Sequence, residues 1–228
     1  VDAQRCNGCR KCMDFCKFNA IACIQDKAVV FPDVCHPCGG CILVCPEKAI
    51  QESKRPIGKI VQGHSENVQV ISGMLNMGEE SGVPIIRTML WHMTEHPHPF
   101  TLIDCPPGSA CVVMESILDA DYCILVAEPT VFGVHNLNMV YELVQIFNKP
   151  YGVVLNKCLD GENPAEQFCL EHQIPILGRI PFDSELGRLN SDSHIVSRIH
   201  PAYKELFTEI LQKVKEAVSH ETAVDSQR

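Results

Sequence analysis

Residues 6–16 are CNGCRKCMDFC, and residues 35–45 are CHPCGGCILVC, followed by Pro46. In each stretch, two, two and three residues separate the four cysteines, and the second stretch repeats the first at an offset of 29 residues. The eight cysteines are Cys6, Cys9, Cys12, Cys16, Cys35, Cys38, Cys41 and Cys45. The repeat predicts a small module with two pseudo-symmetric halves.

This spacing favours metal ligation over disulfides. Nine of the 14 cysteines fall in the first 45 residues, whereas a secreted disulfide scaffold normally has a signal sequence and no large apolar remainder. Structural zinc sites use C-x2-C pairs, without a third cysteine at the same step. The C-x2-C-x2-C-x3-C-P pattern is typical of [4Fe–4S] proteins in which the fourth cysteine ligates the other cluster. Free thiolates also indicate a reducing compartment, the cytoplasm.

The ligand sets are therefore expected to cross between the halves. Three thiolates on one tight loop can bind three irons of a cubane, and the fourth iron must be reached from the other half. We expect the first [4Fe–4S] cluster on Cys6, Cys9, Cys12 and Cys45. We expect the second on Cys35, Cys38, Cys41 and Cys16.

The segment between the two sets, residues 21–31, predicts a short hairpin that turns at Asp26-Lys27. With that hairpin, the segment resembles the two-cluster bacterial ferredoxin family and its βαββαβ module. Lys17 stands where the family usually has proline, and its charge would favour a reduced cluster nearby. Cys23, a ninth cysteine on the hairpin, is interpreted as a small core side chain.

Composition narrows the classes of function. The net charge is −9 and hydrophobic residues make up 46% of the chain. An acidic chain is not expected to bind nucleic acid through its net charge. The sequence has no run of 18 apolar residues, so no transmembrane helix is expected.

After Ile50 the sequence alternates predicted strands and helices. The predicted strands are 68–71, 100–104, 122–127, 151–155 and 174–180. The predicted helices are 84–94, 110–118, 137–147, 164–172 and 203–217. Alternation with nearly continuous apolar strands predicts an α/β fold, a mostly parallel sheet with helices on both faces.

Polar residues follow these strands at the carboxyl ends, where parallel sheets bind ligands. The segments are Asp104-Cys105-Pro106-Pro107-Gly108, Glu128-Pro129-Thr130, Asn156-Lys157 and Pro181-Phe182-Asp183. In this order they resemble the MinD/Mrp/nitrogenase-iron-protein class of P-loop ATPases, in particular members with an inserted ferredoxin domain.

The resemblance implies roles for five residues. Asp104 would be the switch II acid near Mg²⁺ and the hydrolytic water, and Gly108 the switch hinge. Asn156 would hydrogen-bond the adenine, with Pro181 and Asp183 edging the base. Two readings from local structure stay open: Asp104 as a helix cap and Asn156 as a turn residue.

No phosphate loop accompanies these residues. The sequence has no G-x-x-x-x-G-K-[ST], and its one Gly-Lys pair, Gly58-Lys59, is followed by Ile60. The family has its loop before the ferredoxin insertion, so we expect either a truncated chain or a degenerate relative, and no unaided ATP hydrolysis. We assign residues 1–55 to a two-cluster ferredoxin-like domain and residues 56–228 to a nucleotide-binding domain that lacks its phosphate loop.

The leading hypothesis is an iron–sulfur electron-transfer protein linked to an ATP-binding fold, with a redox partner protein and a homodimer as in related ATPases. An iron–sulfur cluster carrier or assembly ATPase, and a plain ferredoxin module without a nucleotide role, are the alternatives. One further motif, His92-x-x-Glu95-His96, matches an inverted zinc-hydrolase pattern. A solvated helix end is the preferred interpretation, because Pro97 ends the predicted helix.

Overall fold

The computed structural model describes the backbone of residues 1–225 and the side chains of residues 1–219. The chain divides into two compact units, Val1–Ile57 and Gly58–Arg228.

The first unit is built from two short helices and one hairpin. Helices α1 (Lys11–Phe15) and α2 (Gly40–Leu43) each follow a cysteine loop, and strands β1 (Ile21–Ile24) and β2 (Lys27–Val30) pair antiparallel. Cys12, Ile21 and Ile50 are its buried core. Only two strands of the expected βαββαβ module are formed within residues 1–57. The two ends of the unit are joined by a hydrogen bond from the Asp2 N–H to the Ala49 carbonyl.

The hairpin turns one residue earlier than predicted. Ile24 pairs with Lys27, so the turn residues are Gln25 and Asp26, with φ of 49° and 56°. A two-residue hairpin of this type needs positive φ at both positions, which matches the right-handed twist of the strands. Lys27 is consequently the first residue of β2.

The second unit begins with an antiparallel hairpin that the pattern of apolar residues did not predict. Strand β3 (Gly58–Ser65) pairs along its length with β4 (Val68–Leu75), and α3 (Val83–Glu95) packs on it. A side chain at Gly73 would meet Ile85 and Met89 of α3. The predicted strand 68–71 exists, but it lies outside the parallel sheet.

The parallel sheet consists of β5 (Cys123–Ala127), β6 (Tyr151–Cys158) and β7 (Ile176–Pro181), in that order. One face packs on the helices α4 (Cys111–Ile117), α5 (Val131–Ile146) and α6 (Pro164–Glu171). The other packs on α7 (Ser184–Ser191) and α9 (Pro201–Asp225), with α8 (Val196–Ile199) between them.

Alternation along β6 explains why both faces are covered. Val153 and Leu155 are fully buried in the hydrophobic core on one face of the sheet. Val154 packs with Leu177 and Ile210 in the core on the other face. The predicted α/β class with a parallel sheet is confirmed.

The strand predicted at 100–104 is wrong. Residues 99–105 have no regular structure, and Leu102 is 83% exposed. Asp104 therefore lies in a loop and not at a strand end. Within the described part of the chain, no helix is both long and apolar enough to cross a bilayer.

Candidate metal centre and strand-end site

A cavity in the first unit is lined by five cysteines. Four of them belong to the predicted first ligand set, and the fifth is on β1. They are Cys6, Cys9, Cys12, Cys45 and Cys23. Cys45, from the second repeat, thus shares a cavity with the first three cysteines of the first repeat.

The first loop is shaped by its glycine and an asparagine. Gly8 has φ of +71°, and a Cβ there would lie 2.5 Å from the Asp26 carbonyl oxygen, so only glycine fits. The Asn7 side-chain oxygen accepts from the Cys9 N–H at 3.1 Å. These constraints let three cysteines of one short segment face the same cavity.

Backbone N–H groups are directed at two of the sulfurs. Ala28 donates to Cys6 Sγ at 3.4 Å, and Ala49 donates to Cys45 Sγ at 3.3 Å. The N–H groups of Ala28 and Gly8 are the main reason that the pKa of Cys6 is lowered. A donor that stabilises a thiolate also stabilises a metal-bound sulfur.

Cys12 is the most buried sulfur of this group. Burial raises its pKa, and the nearby sulfurs of Cys45 and Cys6 raise it further. Cys12 and Cys45, from different repeats, line the same cavity.

The second cysteine loop enters its helix as the first one does. Gly39, with φ of +73°, is the N-cap of α2, and Arg10, at the equivalent position with φ of 64°, is the N-cap of α1. Burial raises the pKa of Cys41, with Cys35 and Cys38 nearby. Cys16 and Cys41 both border the core of the first unit.

The donor set fits an iron–sulfur cubane better than one metal ion. Among the described residues, no group of three or more His, Cys, Asp or Glu side chains is arranged around a single ion. A cubane has irons at four separate corners, so its thiolates stand farther apart than those around one ion. Four cysteines around a mostly apolar cavity meet that requirement.

Cys23 was interpreted as a core side chain, but it lines this cavity and is half-buried. It pairs across the hairpin with Ala28, the residue that donates to Cys6. The period-two alternation of β1, with Ile21 facing the core, is the sequence signal that places Cys23 on the same side.

At the carboxyl ends of β5 and β6, an ion pair joins neighbouring strands. Lys157 Nζ lies 2.6 Å from Glu128 Oε1. Asn156 accepts the Lys157 N–H at 3.0 Å, and Lys157 has φ of 57°. Asn156 and Lys157 lie within β6, at the register shift between Leu155 and Cys158, so the alternative of Asn156 as a turn residue is wrong.

Asp183 follows β7 and is engaged within the fold. Its Oδ1 accepts from the Glu185 N–H at 2.8 Å and caps α7, while Oδ2 accepts from the Tyr203 hydroxyl at 2.6 Å. Pro181, the last residue of β7, is exposed. The Phe182 N–H donates to the Cys158 carbonyl, which ties the ends of β6 and β7 together.

Asp104 and Gly108 lie in the loop before α4. Asp104 is exposed and Gly108 has φ of +92°. No side-chain cap is made at the start of α4, where Ala110 is the N-cap. The alternative of Asp104 as a cap for this helix is therefore wrong.

The His92-x-x-Glu95-His96 motif ends α3. His92 Nε2 lies 2.5 Å from Gln62 Nε2 of the β3–β4 hairpin. The His92 ring is tilted against the ring of His96, and the two ring centroids are 5.1 Å apart. His92 is thus tied to β3.

Comparison with known proteins shows which kind of domain and which fold the chain contains. The family "4Fe-4S binding domain" matches residues 1–22. The MinD cell division ATPase of Pyrococcus furiosus matches with a TM-score of 0.57 and 20% identity, covering 69% of each chain. MinD of Aquifex aeolicus matches with a TM-score of 0.50 and 17% identity, over 59% of this chain and 61% of that one. The protein thus combines an iron–sulfur binding domain with a MinD-like α/β fold.

One of two similar proteins of Methanocaldococcus jannaschii shows the family to which the chain belongs. The uncharacterized protein MJ0578 is 30% identical over 213 residues, covering 93% of this chain and 73% of MJ0578. The chain belongs to the family of MJ0578. A second protein, MJ0579, is 30% identical over 142 residues, 62% of this chain, and the match spans about half (52%) of its length.

A third similarity concerns the ion-translocating oxidoreductase complex of Methanosarcina acetivorans. One protein of that complex is 39% identical to this chain over 46 residues, which is 20% of this chain and 17% of that protein.

Proposed function

We propose that this protein is an electron-transfer protein of the cytoplasm that holds two [4Fe–4S] clusters and passes electrons to a redox partner protein. The first cluster is bound by Cys6, Cys9, Cys12 and Cys45. The second is bound by Cys35, Cys38, Cys41 and Cys16. Each cluster, when bound, accepts and gives up one electron.

The cavity shared by Cys45 and the first cysteine loop carries this proposal. Cys45 is far from Cys6, Cys9 and Cys12 along the chain, so the approach is made by the fold and not by local spacing. It matches the crossed ligation that the repeat predicts. The similarity of residues 1–22 to a 4Fe-4S binding domain and of 46 residues to a protein of an oxidoreductase complex supports the same function.

The chain's own residues control the environment of the clusters. Ala28 and Ala49 donate N–H groups to Cys6 and Cys45, which lowers the electron density on those sulfurs. The buried Ile21 and Ile50 keep water away from the inner side of the first site. Both effects set the potential at which the clusters take up an electron.

The second unit is proposed to link this electron transfer to a nucleotide. Its MinD-like fold supports the assignment. Asp104 and Gly108 would form the switch loop, Asn156 would bind the adenine, and Pro181 and Asp183 would edge it. The phosphate loop would come from outside these 228 residues, and a homodimer is the expected assembly. Both carboxylate oxygens of Asp183 already accept a hydrogen bond, from the Glu185 N–H and from the Tyr203 hydroxyl. Asp183 would contact the base in addition to these two bonds.

Anaerobic reconstitution tests the redox proposal. We expect about eight irons and eight sulfides per chain, and an EPR spectrum of two interacting reduced centres that survives repeated reduction and oxidation. A stable content of about four irons would contradict the two-cluster assignment. Loss of iron to an apo-ferredoxin on mixing would favour a cluster carrier instead.

The coding sequence upstream of Val1 tests the nucleotide link. A glycine-rich loop with lysine there would support it, and Asp104→Ala in that longer protein should then abolish ATP hydrolysis. If no such loop is encoded, or if Asp104→Ala hydrolyses ATP at the unchanged rate, the nucleotide link is wrong.

A further inference from the structure

The β1–β2 hairpin brings a positive charge to one side of the first cysteine site. Lys27 is half-buried, and its Nζ donates a 2.6 Å hydrogen bond to the carbonyl oxygen of Cys6. The next residue, Ala28, donates its N–H to the sulfur of the same cysteine. Cys6 thus receives an ammonium at its carbonyl and an amide at its sulfur from two consecutive residues.

The turn geometry explains why Lys27 reaches Cys6. Gln25 and Asp26 form the turn, so Lys27 is the first strand residue. The Asp26 backbone also packs against Gly8 of the cysteine loop. Two independent contacts therefore hold this end of the hairpin against residues 6–8.

The second half of the repeat has no equivalent of this hairpin. The 29-residue offset carries Lys27 onto Pro56, whose side chain has no charge. Residues 51–57 form no strand, whereas residues 21–30 form both β1 and β2. Lys17 follows Cys16 of the second set but is exposed, whereas Lys27 is half-buried and bonded to Cys6. Water and salt screen an exposed charge more strongly than a partly buried one, so the charge that the hairpin brings to the first site has no equal at the second.

A fixed positive charge and N–H donors stabilise the more negative, reduced state of a cluster. From this asymmetry we propose that Lys27 makes the first cluster the more easily reduced of the two, so that it is the electron acceptor within the protein. This inference rests on the two-cluster function proposed above. It adds the order in which the two clusters take up electrons.

The test is a redox titration of the reconstituted protein followed by EPR, with Lys27→Gln, Lys27→Arg and Lys54→Gln. Lys54 is an exposed lysine of the same unit, so Lys54→Gln makes the same change in net charge without removing the Lys27 bond to Cys6. Iron content is measured first, and Lys27→Met, which keeps the alkyl stem, replaces Lys27→Gln if the glutamine variant binds less iron.

We expect Lys27→Gln to lower the higher of the two midpoint potentials and to leave the lower one in place. Lys27→Arg should keep both values, and Lys54→Gln should move neither. A shift of the lower midpoint, equal shifts of both, or an unchanged pair would each overturn the inference. Failure of the underlying function looks different, because the unsubstituted protein would then lack two clusters with separate midpoints.

Discussion

The hydroxyl of Tyr203 on α9 donates a 2.6 Å hydrogen bond to Oδ2 of Asp183, while Oδ1 of the same carboxylate caps α7. One side chain thus joins the end of β7, the start of α7 and the first turn of α9. The pKa of Asp183 is lowered, first by the Tyr203 hydrogen bond and then by the Glu185 N–H, and the pKa of Tyr203 is raised to about 12 by Asp183.

Tyr203→Phe should destabilise the second unit and change its response to alkali. A tyrosine whose pKa is raised by folding adds stability that is complete below its unfolded pKa of about 10 and is lost as the pH rises through the folded value. We therefore expect a loss of about 2–4 °C in melting temperature at pH 8. The difference from the unsubstituted protein should shrink between pH 10 and about 12, as measured by circular dichroism.

The dependence of stability on pH in the acid range provides the control. The lowered pKa of Asp183 adds stability that is present above its unfolded value and is lost as the pH falls through the folded one. Asp183→Asn keeps a side chain that caps helices well but removes this charge. It should flatten the acid dependence, whereas Tyr203→Phe alone should leave the α7 cap intact. Equal melting curves for Tyr203→Phe and the unsubstituted protein at pH 8 would rule out a stabilising role.

Leu155→Ala tests where the core of the parallel sheet lies. Leu155 is fully buried in β6, and Leu170 on α6 is 68% exposed. Removing a buried leucine side chain leaves a cavity, so we expect a loss of about 2–5 kcal/mol in the free energy of unfolding. Leu170→Ala should change it by less than about 0.5 kcal/mol. Similar losses for the two variants in urea unfolding would contradict the packing of this sheet.

The sequence was sufficient to predict elements whose apolar residues are continuous or strictly periodic. Strand β5 was predicted at 122–127 and is found at Cys123–Ala127, and α3 was predicted at 84–94 and is found at Val83–Glu95. In these elements burial and local preference favour the same conformation, so the pattern alone is enough.

Phe100–Asp104 shows where that reasoning fails. Its apolar residues fit a buried strand, but a strand also needs a neighbour to accept its backbone hydrogen bonds. The described sheet contains β5, β6 and β7, and residues 100–104 pair with none of them. Pairing is a long-range property, which a local pattern does not contain.

In the candidate site, too, some features follow from the local sequence pattern and others depend on long-range pairing. The first ligand set stays a prediction from cysteine spacing, and its four cysteines line one cavity. Cys23 and Lys27 were not recognised as neighbours of that site. Their position depends on a turn at Gln25-Asp26, and a shift of one residue in a hairpin moves each side chain to the opposite face.

Gly133→Ala and Gly187→Ala should have opposite effects on stability. Gly133 lies in the first turn of α5, and a Cβ there would clash with the Glu128 carbonyl oxygen at the end of β5. Gly187 is in α7, and a Cβ there meets no atom within 4 Å. Because glycine is a poor helix former, Gly187→Ala should stabilise by about 0.5–1 kcal/mol. Gly133→Ala should lower the free energy of unfolding, and a gain there would show that α5 can move away from Glu128.

The crossed ligation makes a prediction that depends on which cluster survives a substitution. All variants carry Cys23→Ala, so that this neighbouring thiol cannot replace a lost ligand. If Cys45 ligates the first cluster, Cys45→Ala should leave the same surviving cluster as Cys9→Ala, with the same EPR spectrum and midpoint potential. By the same reasoning, Cys16→Ala should match Cys38→Ala.

Ligation within each half predicts the reverse pairing. Cys45→Ala would then match Cys38→Ala, because both would remove the second cluster. The cavity shared by Cys45 and Cys9 favours the crossed result. The comparison needs no assignment of either spectrum in advance, since it depends only on which variants share one.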